Sequence, residues 1–498
     1  MDMIMWYNPL MNYQSLSDYL DDLRNSGDLC DICERVDPNL EVTEICDRAV
    51  KNSGPALLFK NVAGCGVPLA MNLFASDARM KKALGVKSYD EITARLENLL
   101  KAPKSSNFFE KMGQVPKLIE ASNALPKVVK KENAACKEVV LTDAASIDLN
   151  SFPIIKCWPK DSGKFITFPL VITKNPVTGI QNIGMYRMQV LSRNETAMHW
   201  HKHKDGAYIA ALHKETGGTK VPVSVVIGAD PATMFSATAP LPNGVDEIML
   251  AGFIRNKPVE IVKSELSDIM VPAHAEIILE GSVDLSDLRV EGPFGDHTGF
   301  YSPADNYPVF TIECITMRKN PVFIETIVGI PPMEDLFLGT ATERIFLPLL
   351  KLQCPEVIDI KFPMAGVFHN LALVKIKKLY HGHPQKIMSY FWGQNQLMFT
   401  KNIVVFDENT DIHNADEALF MMLANVDFKR DVISCDGPLD ILDHASVLEG
   451  YGPKVGIDAT FKGGEPGCRK WPELIRMNEN IKKAVDEKWE KLGIKKGR

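Results

Sequence analysis

The chain has 498 residues, 45% of them hydrophobic and 24% charged, an ordinary soluble composition long enough for two to four domains. Its net charge of −7 offers no bulk basic surface to nucleic acid, and no apolar run reaches the roughly 18 residues that would span a bilayer. The opening residues, Met1-Asp-Met-Ile-Met-Trp-Tyr-Asn8, lack a basic n-region and a cleavable apolar core, and ten cysteines are scattered without a disulfide-like framework, so a cytoplasmic protein with reduced thiols is expected.

Residues 14–26 read as an amphipathic helix with Leu16, Tyr19, Leu20 and Leu23 as its apolar stripe and Gly27 as its C-cap. Cys30 and Cys33 form a CxxC. Asp28, Asp31 and Glu34 around it would raise the thiol pKa, and no second pair accompanies it, so chance spacing is the better reading. Pro55–Lys60 is a short strand, and Asp77 to Leu100 alternates helical stretches broken at Gly85. Residues 1–125 thus form a small α/β unit. From 126 to 330 helical signals thin out and strand-like runs dominate: 168–173, 221–227, 259–263, 275–280 and 309–315. Gly, Pro and Asp turns separate them, which predicts a closed or half-closed antiparallel barrel. From 331 to 498 strands (370–377, 402–406) alternate again with helices (385–392, 415–424). Pro472 to Leu492 reads as a charged amphipathic helix suited to packing on another domain or subunit. The fold class is α/β (α+β) in three parts.

Two clusters in the middle part carry chemistry. Glu291-Gly-Pro-Phe-Gly-Asp-His-Thr-Gly-Phe-Tyr301 sets carboxylates at Glu291 and Asp296 on a loop too rich in Gly and Pro for a helix. Like charges held close push their pKa values apart, so one acid is expected to hold a proton near neutral pH. In 181–206, a polar turn at Ser192–Glu195 between apolar runs reads as a hairpin. On an extended strand His199, His201 and His203 would share one face, a metal- or anion-binding pattern, with Asn182 and Arg187 facing the same cleft.

These residues, with Asn182-Ile-Gly-Met-Tyr-Arg187, Gly228-Ala-Asp-Pro231, Ala239-Pro-Leu-Pro242, Asp246-Glu247, Val271-Pro-Ala273, Glu280-Gly281 and Lys454-Val-Gly-Ile-Asp-Ala-Thr460, resemble in order and spacing the UbiD family of prenylated-flavin-dependent decarboxylases. The likeness runs over nearly the whole chain and looks closest to the hydroxybenzoate branch. It implies a split β-barrel that binds prenylated FMN, made by a separate flavin prenyltransferase. A divalent metal, usually manganese, and often potassium would bridge the phosphate. Asn182 and Glu247 match metal ligands, with His203, or His201 in the alternative register, as the third. Gly184, Met185, Tyr186 and Arg187 match the flavin-contacting segment, His199, Trp200 and His201 its partner strand, and Lys454 a lysine near the phosphate.

Arg187, Glu291 and Asp296 match the family's catalytic network. Asp296 would deliver the proton, Glu291 would hold Arg187, and Arg187 would pin the substrate carboxylate or balance the acids. His444 is a candidate to polarise a phenolic hydroxyl. The implied reaction is non-oxidative decarboxylation of a hydroxyaryl acid in ubiquinone or menaquinone biosynthesis. That acid would be 4-hydroxybenzoate-like, with or without a polyprenyl chain, or a hydroxynaphthoate. A prenylated substrate would favour a pocket open to the inner face of the membrane, and 330–345 is placed to line it. A homo-oligomer, dimer to hexamer, is expected from the family's exchanged C-terminal helix. The alternatives are a catabolic phenolic-acid decarboxylase or carboxylase, a cofactor-binding subunit without chemistry, and a zinc hydrolase built on the three histidines.

Overall fold

The computed structural model describes residues 12–100, 123–201, 204–241, 244–465 and 468–493. The first helix, Leu16–Asn25, buries Leu16, Tyr19, Leu20 and Leu23, the stripe that its periodicity predicts. Ser15 and Asp18 close a capping box at its start, and Gly27 turns the chain with φ 76°. The helix covers a four-stranded sheet in the order Leu29–Ile32, Ala56–Phe59, Leu69–Met71, Phe323–Ile324. The last strand comes from the far end of the middle region. As a result, the N-terminal layer and the barrel share one continuous hydrophobic core, from Tyr13 to Ile345.

The middle region is an antiparallel sheet in the order Glu195–Ala197, Asp305–Met317, Ile277–Glu291, Lys220–Ile227, Pro169–Lys174, Gln181–Met185. Val139–Leu141 pairs with Asp305–Met317 beside it. Residues 186–194 link the two edge strands; within them Met188–Gln189 pairs with Phe165–Ile166, and Val190 bridges Thr196. Among the described residues no ladder joins the two edges, so of the closed and half-closed barrels expected, the half-closed one is found. It carries more helix than the sequence suggests: Asp205–Glu215, Pro231–Ser236 and Glu247–Arg255. The second of these has all six side chains buried and the third most of its side chains. Burial on most faces hides the 3.6-residue alternation that reveals a half-exposed helix.

The C-terminal part is a five-stranded sheet in the order Val357–Lys361, Leu371–Ile376, Asn402–Asp407, Tyr451–Asp458, Val432–Pro438, parallel through its three middle strands. Alternate side chains feed two cores. Ala372, Val374, Ile403 and Val405 lie under the helix His383–Trp392, and Leu373, Val404 and Phe406 face the helix Ala415–Asn425. The helix Glu334–Gln353 couples the halves, with Leu338, Ala341 and Ile345 in the barrel core and Leu347 and Leu350 against the C-terminal one. The expected helix from 472 to 492 is shorter than its charge pattern suggests. Helical turns occupy Glu479–Asp486 and Glu490–Leu492. No residue of either is buried, and an unpacked segment has little beyond intrinsic propensity to hold it. No helix among the described residues is long and apolar enough to cross a membrane.

Candidate active site

The strand Ile277–Glu291 ends at a fully buried Glu291, opposite Asp305. Gly292 follows with φ 92°. A Cβ there would stand 3.1 Å from the Pro303 carbonyl oxygen, so glycine is what lets the chain turn. The loop then closes as a short hairpin, Phe294–Gly295 against Tyr301–Ser302, with the Gly295 N–H donating to Asp161 Oδ1 at 2.8 Å.

Arg187 reaches this loop from just beyond the strand Gln181–Met185. Its Nε donates to Glu291 Oε1 at 3.0 Å, its Nη1 donates to Asp296 Oδ2, and its Nη2 donates to Ser302 Oγ at 3.0 Å. The guanidinium also lies 4.4 Å from the ring centre of Phe294, so an aromatic face holds it in plane. The two acids consequently do not meet as a like-charged pair, because Arg187 stands between them. Burial alone would raise the Asp296 carboxyl. The hydrogen bond from His297 and the charge of Arg187 outweigh it and hold Asp296 well below the usual carboxylate range. Of the two acids, Asp296 is therefore not the one that holds a proton on the resting loop.

Glu291 Oε2 sits 2.9 Å from His199 Nδ1, and the Nε2 atoms of His199 and His201 are in contact. Burial, with His199 and Arg187 nearby, pushes His201 down to about 3. The two histidines are brought together beyond the end of the strand Glu195–Ala197 and not along it. His203 lies outside the described residues.

Asn182 and Glu247 are neighbours: the amide donates to Glu247 Oε1 at 3.1 Å, and the Ile183 N–H donates to Oε2 at 2.8 Å. Burial pushes the Glu247 carboxyl up to about 8. Asn182 Oδ1 is buried without a partner. A desolvated carboxylate beside an unpaired amide oxygen fits a hard divalent cation. Among the described residues no group of three or more His, Cys, Asp or Glu assembles as a metal site.

Gly184 and Gly206 give two aromatic rings room to pack close. A Cβ on Gly184 would lie 2.4 Å from the Tyr186 ring, and one on Gly206 would lie 2.6 Å from Trp200 Nε1. Tyr186 Oη accepts from the Gly206 N–H at 3.2 Å, while Trp200 Nε1 is a buried donor without a partner. This wall, with Met185 part-buried on the preceding strand, fits a flat polar-edged ligand. Lys454 is buried on the strand Tyr451–Asp458, where its ammonium donates to the Met398 carbonyl; its described contacts lie within the C-terminal part. His444 packs on Phe300 of the carboxylate loop, ring centres 4.1 Å apart.

Sequence reasoning gave no role to His297, although it adjoins Asp296, and none to His369. His297 Nδ1 is 3.0 Å from Asp296 Oδ1, and its Nε2 is 3.1 Å from Nε2 of His369 in the C-terminal part. A cleft between the two parts is lined by His297, Pro331, Asp335, Leu336, Val367 and Phe368.

The UbiD family matches the chain in three consecutive parts: the 3-octaprenyl-4-hydroxybenzoate carboxy-lyase N-terminal domain over residues 20–96, its Rift-related domain over 127–331 and its C-terminal domain over 336–459. An uncharacterised protein of Archaeoglobus fulgidus is 46% identical over 97% of this chain and 99% of its own length. The vanillic acid decarboxylase of Sedimentibacter hydroxybenzoicus, in its closed form, superposes with TM-score 0.84 at 25% identity, covering 96% of this chain and 99% of that one. Its open form gives 0.77, covering 97% and 99%. The UbiD-class enzyme HmfF of Pelotomaculum thermopropionicum, in complex with FMN, superposes at 0.77 with 27% identity over 94% and 99%. An evolved dimeric form of HmfF holds prFMN. By sequence over nearly its whole length and by fold, the chain belongs to the UbiD family of carboxy-lyases.

Proposed function

We propose that the protein is a prenylated-FMN-dependent decarboxylase of a hydroxyaryl carboxylic acid, 4-hydroxybenzoate-like or hydroxynaphthoate-like, in quinone biosynthesis. The observation that carries this reading is Arg187 held between two buried carboxylates, Glu291 and Asp296. Loss of carbon dioxide from an aromatic ring leaves electrons that no side chain can accept, and prenylated FMN supplies that sink when bound. Gly184, Met185, Tyr186, His199, Trp200 and His201 are the residues that would hold it. Asn182 and Glu247, with His203 or His201, would hold Mn²⁺ beside its phosphate, with K⁺ as a second cation and Lys454 as a further phosphate contact.

Arg187 receives the substrate carboxylate by charge-assisted hydrogen bonds. Sharing the guanidinium weakens its hold on Asp296, whose carboxyl then rises towards protonation. Asp296 delivers the proton to the ring carbon that lost carbon dioxide. Glu291 keeps Arg187 in place, and His444 is positioned on the loop side to meet a phenolic hydroxyl. The family name and the vanillic acid decarboxylase neighbour support the substrate class. The exposed C-terminal segment supports assembly as a homo-oligomer.

The test is production with and without a flavin prenyltransferase, with manganese and without oxygen, followed by carbon dioxide release and ring deuterium exchange on a panel of hydroxybenzoates and hydroxynaphthoates. Turnover only in the prenyltransferase sample, lost in Asp296→Asn, is the expected result. A loaded protein silent towards the panel and towards prenylated hydroxybenzoate would overturn the proposal.

A further inference from the structure

Asp296 can give up a proton only if something returns one, and its resting environment keeps it ionised. The group in contact with it on the side away from Arg187 is His297. Asp296 Oδ1 accepts both the backbone N–H of His297 at 2.8 Å and, from Nδ1 of the ring, a second bond at 3.0 Å. The other ring nitrogen crosses to the C-terminal part, 3.1 Å from Nε2 of His369. The two ring planes stand 84° apart, a twist about the Nε2–Nε2 line that leaves the in-plane N–H of one able to address the in-plane lone pair of the other.

His369 is held there by an unusual backbone. The two residues before it, Val367 and Phe368, have φ of 38° and 69°, a left-handed conformation costly for any residue with a side chain and most for a β-branched one. Phe368 is seated on the helix Glu334–Gln353, where a Cβ on Gly339 would lie 2.2 Å from its ring. Strain that places one histidine against another across a domain boundary marks a site where placement matters.

Resting on the decarboxylase reading, we propose that His297 is the proton store for Asp296, and that His369 is the positioning residue that charges this store when the C-terminal part docks on the barrel. Docked, neutral His369 accepts the His297 Nε2–H and stabilises the imidazolium. The Nδ1 proton of that imidazolium passes to Asp296, and from Asp296 to the ring carbon, whose electron pair from the broken C–CO₂ bond forms the new C–H bond. His297 is left neutral, and solvent returns its proton after the product leaves.

The surrounding charges agree. Burial opposes protonation of His297, yet Asp296, with Asp335 and Asp440 beyond, raises it. Burial lowers His369, with Asp440 and Asp443 opposing, and Asp443 is itself paired with Lys401 at 2.7 Å. Arg187 faces Asp296 from the opposite side. The vanillic acid decarboxylase of Sedimentibacter hydroxybenzoicus takes closed and open forms, on which this chain superposes with TM-scores of 0.84 for the closed form and 0.79 and 0.77 for open ones.

The test has two readouts. In the first, ¹⁵N-histidine spectra of the full chain without cofactor follow the imidazolium of His297, assigned with His297→Gln. Replacing His369 by Leu, and separately by Asn to guard against a folding defect, should lower the His297 midpoint by about one unit or more. An unchanged midpoint in both folded variants overturns the role of His369. In the second, cofactor-loaded enzyme is assayed across pH. His297→Gln should cut turnover and ring deuterium exchange about 100-fold with KM unchanged, and His369→Leu should shift the pH optimum down. Active wild type with an unaltered His297→Gln profile overturns the proton store. Inactive loaded wild type overturns the decarboxylase reading itself, and the spectra then still decide the coupling.

Discussion

Arg187 and Glu291 stand 104 positions apart in the chain, yet Nε of one donates to Oε1 of the other at 3.0 Å, with Glu291 fully buried and the Arg187 side chain nearly so. A buried carboxylate left without its partner is costly. Arg187→Ala should therefore lower stability by about 3–5 kcal/mol at neutral pH, read by urea unfolding. Arg187→Lys, a point charge that cannot address both acids, should keep the fold and lose activity about 100-fold. An Arg187→Ala variant as stable as the parent would mean that the pair is not a buried ion pair in solution.

Glu325, just after the strand Phe323–Ile324, and Glu334, at the start of the helix Glu334–Gln353, are buried carboxyls. Burial pushes them up to about 8 and about 7, from an ordinary 4.5. Between 4.5 and those values the native state holds protons that the unfolded chain has released, so stability falls as pH rises through this window. The double variant Glu325→Gln, Glu334→Gln should flatten melting temperature against pH over that range. A slope equal to the parent's would refute the assignment.

Gly281 lies where the register between Ile277–Glu291 and Asp305–Met317 shifts, and a Cβ there would fall 1.9 Å from the Thr311 carbonyl oxygen. The obstacle is backbone, so relief requires the two strands to part. Gly281→Ala should cost about 1–3 kcal/mol or more, measured by denaturant unfolding, whereas Gly66→Ala, with open space around it, should be close to neutral.

Glu247 carries a proton near neutral pH in the metal-free protein, its carboxyl raised by burial to about 8. Metal binding must displace that proton, so Mn²⁺ affinity should climb as pH rises from about 6 to 8. Glu247→Gln should remove this dependence and weaken binding by more than the roughly 10–100-fold typical of losing an outer partner. Calorimetric titration in buffers of different ionisation heat measures both.

The segment after Trp471 exposes Leu474, Ile475, Met477 and Ile481, with Ile475 at 99%. Ending the chain at Trp471 should leave the melting temperature nearly unchanged and reduce the mass seen by light scattering. An unchanged assembly would place the subunit contact elsewhere.

Much of this architecture is legible before folding is considered. The stripe Leu16, Tyr19, Leu20, Leu23 predicts the first helix because one face is wet and the other dry. The runs at 221–227 and 309–315 predict barrel strands because β-branched residues between turn signals have few other uses. The helix at Glu247 escapes the same reading because it is buried on most faces, and periodicity reports only a contrast between faces. His199 and His201 illustrate a different limit. Alternation along a strand suggests that they share a face, and they do meet, but in irregular backbone held by Glu291 and Tyr307.

By itself the sequence determined the family, the three-part order of elements and the residue types at the site, because these follow from local pattern and from spaced motifs. Only the tertiary structure decided that Arg187 separates the two acids, so that Asp296 rests ionised, and that His369 reaches across to His297. Both outcomes depend on distances between residues far apart in the chain. Electrostatic influence falls with distance in space and takes no account of distance in sequence.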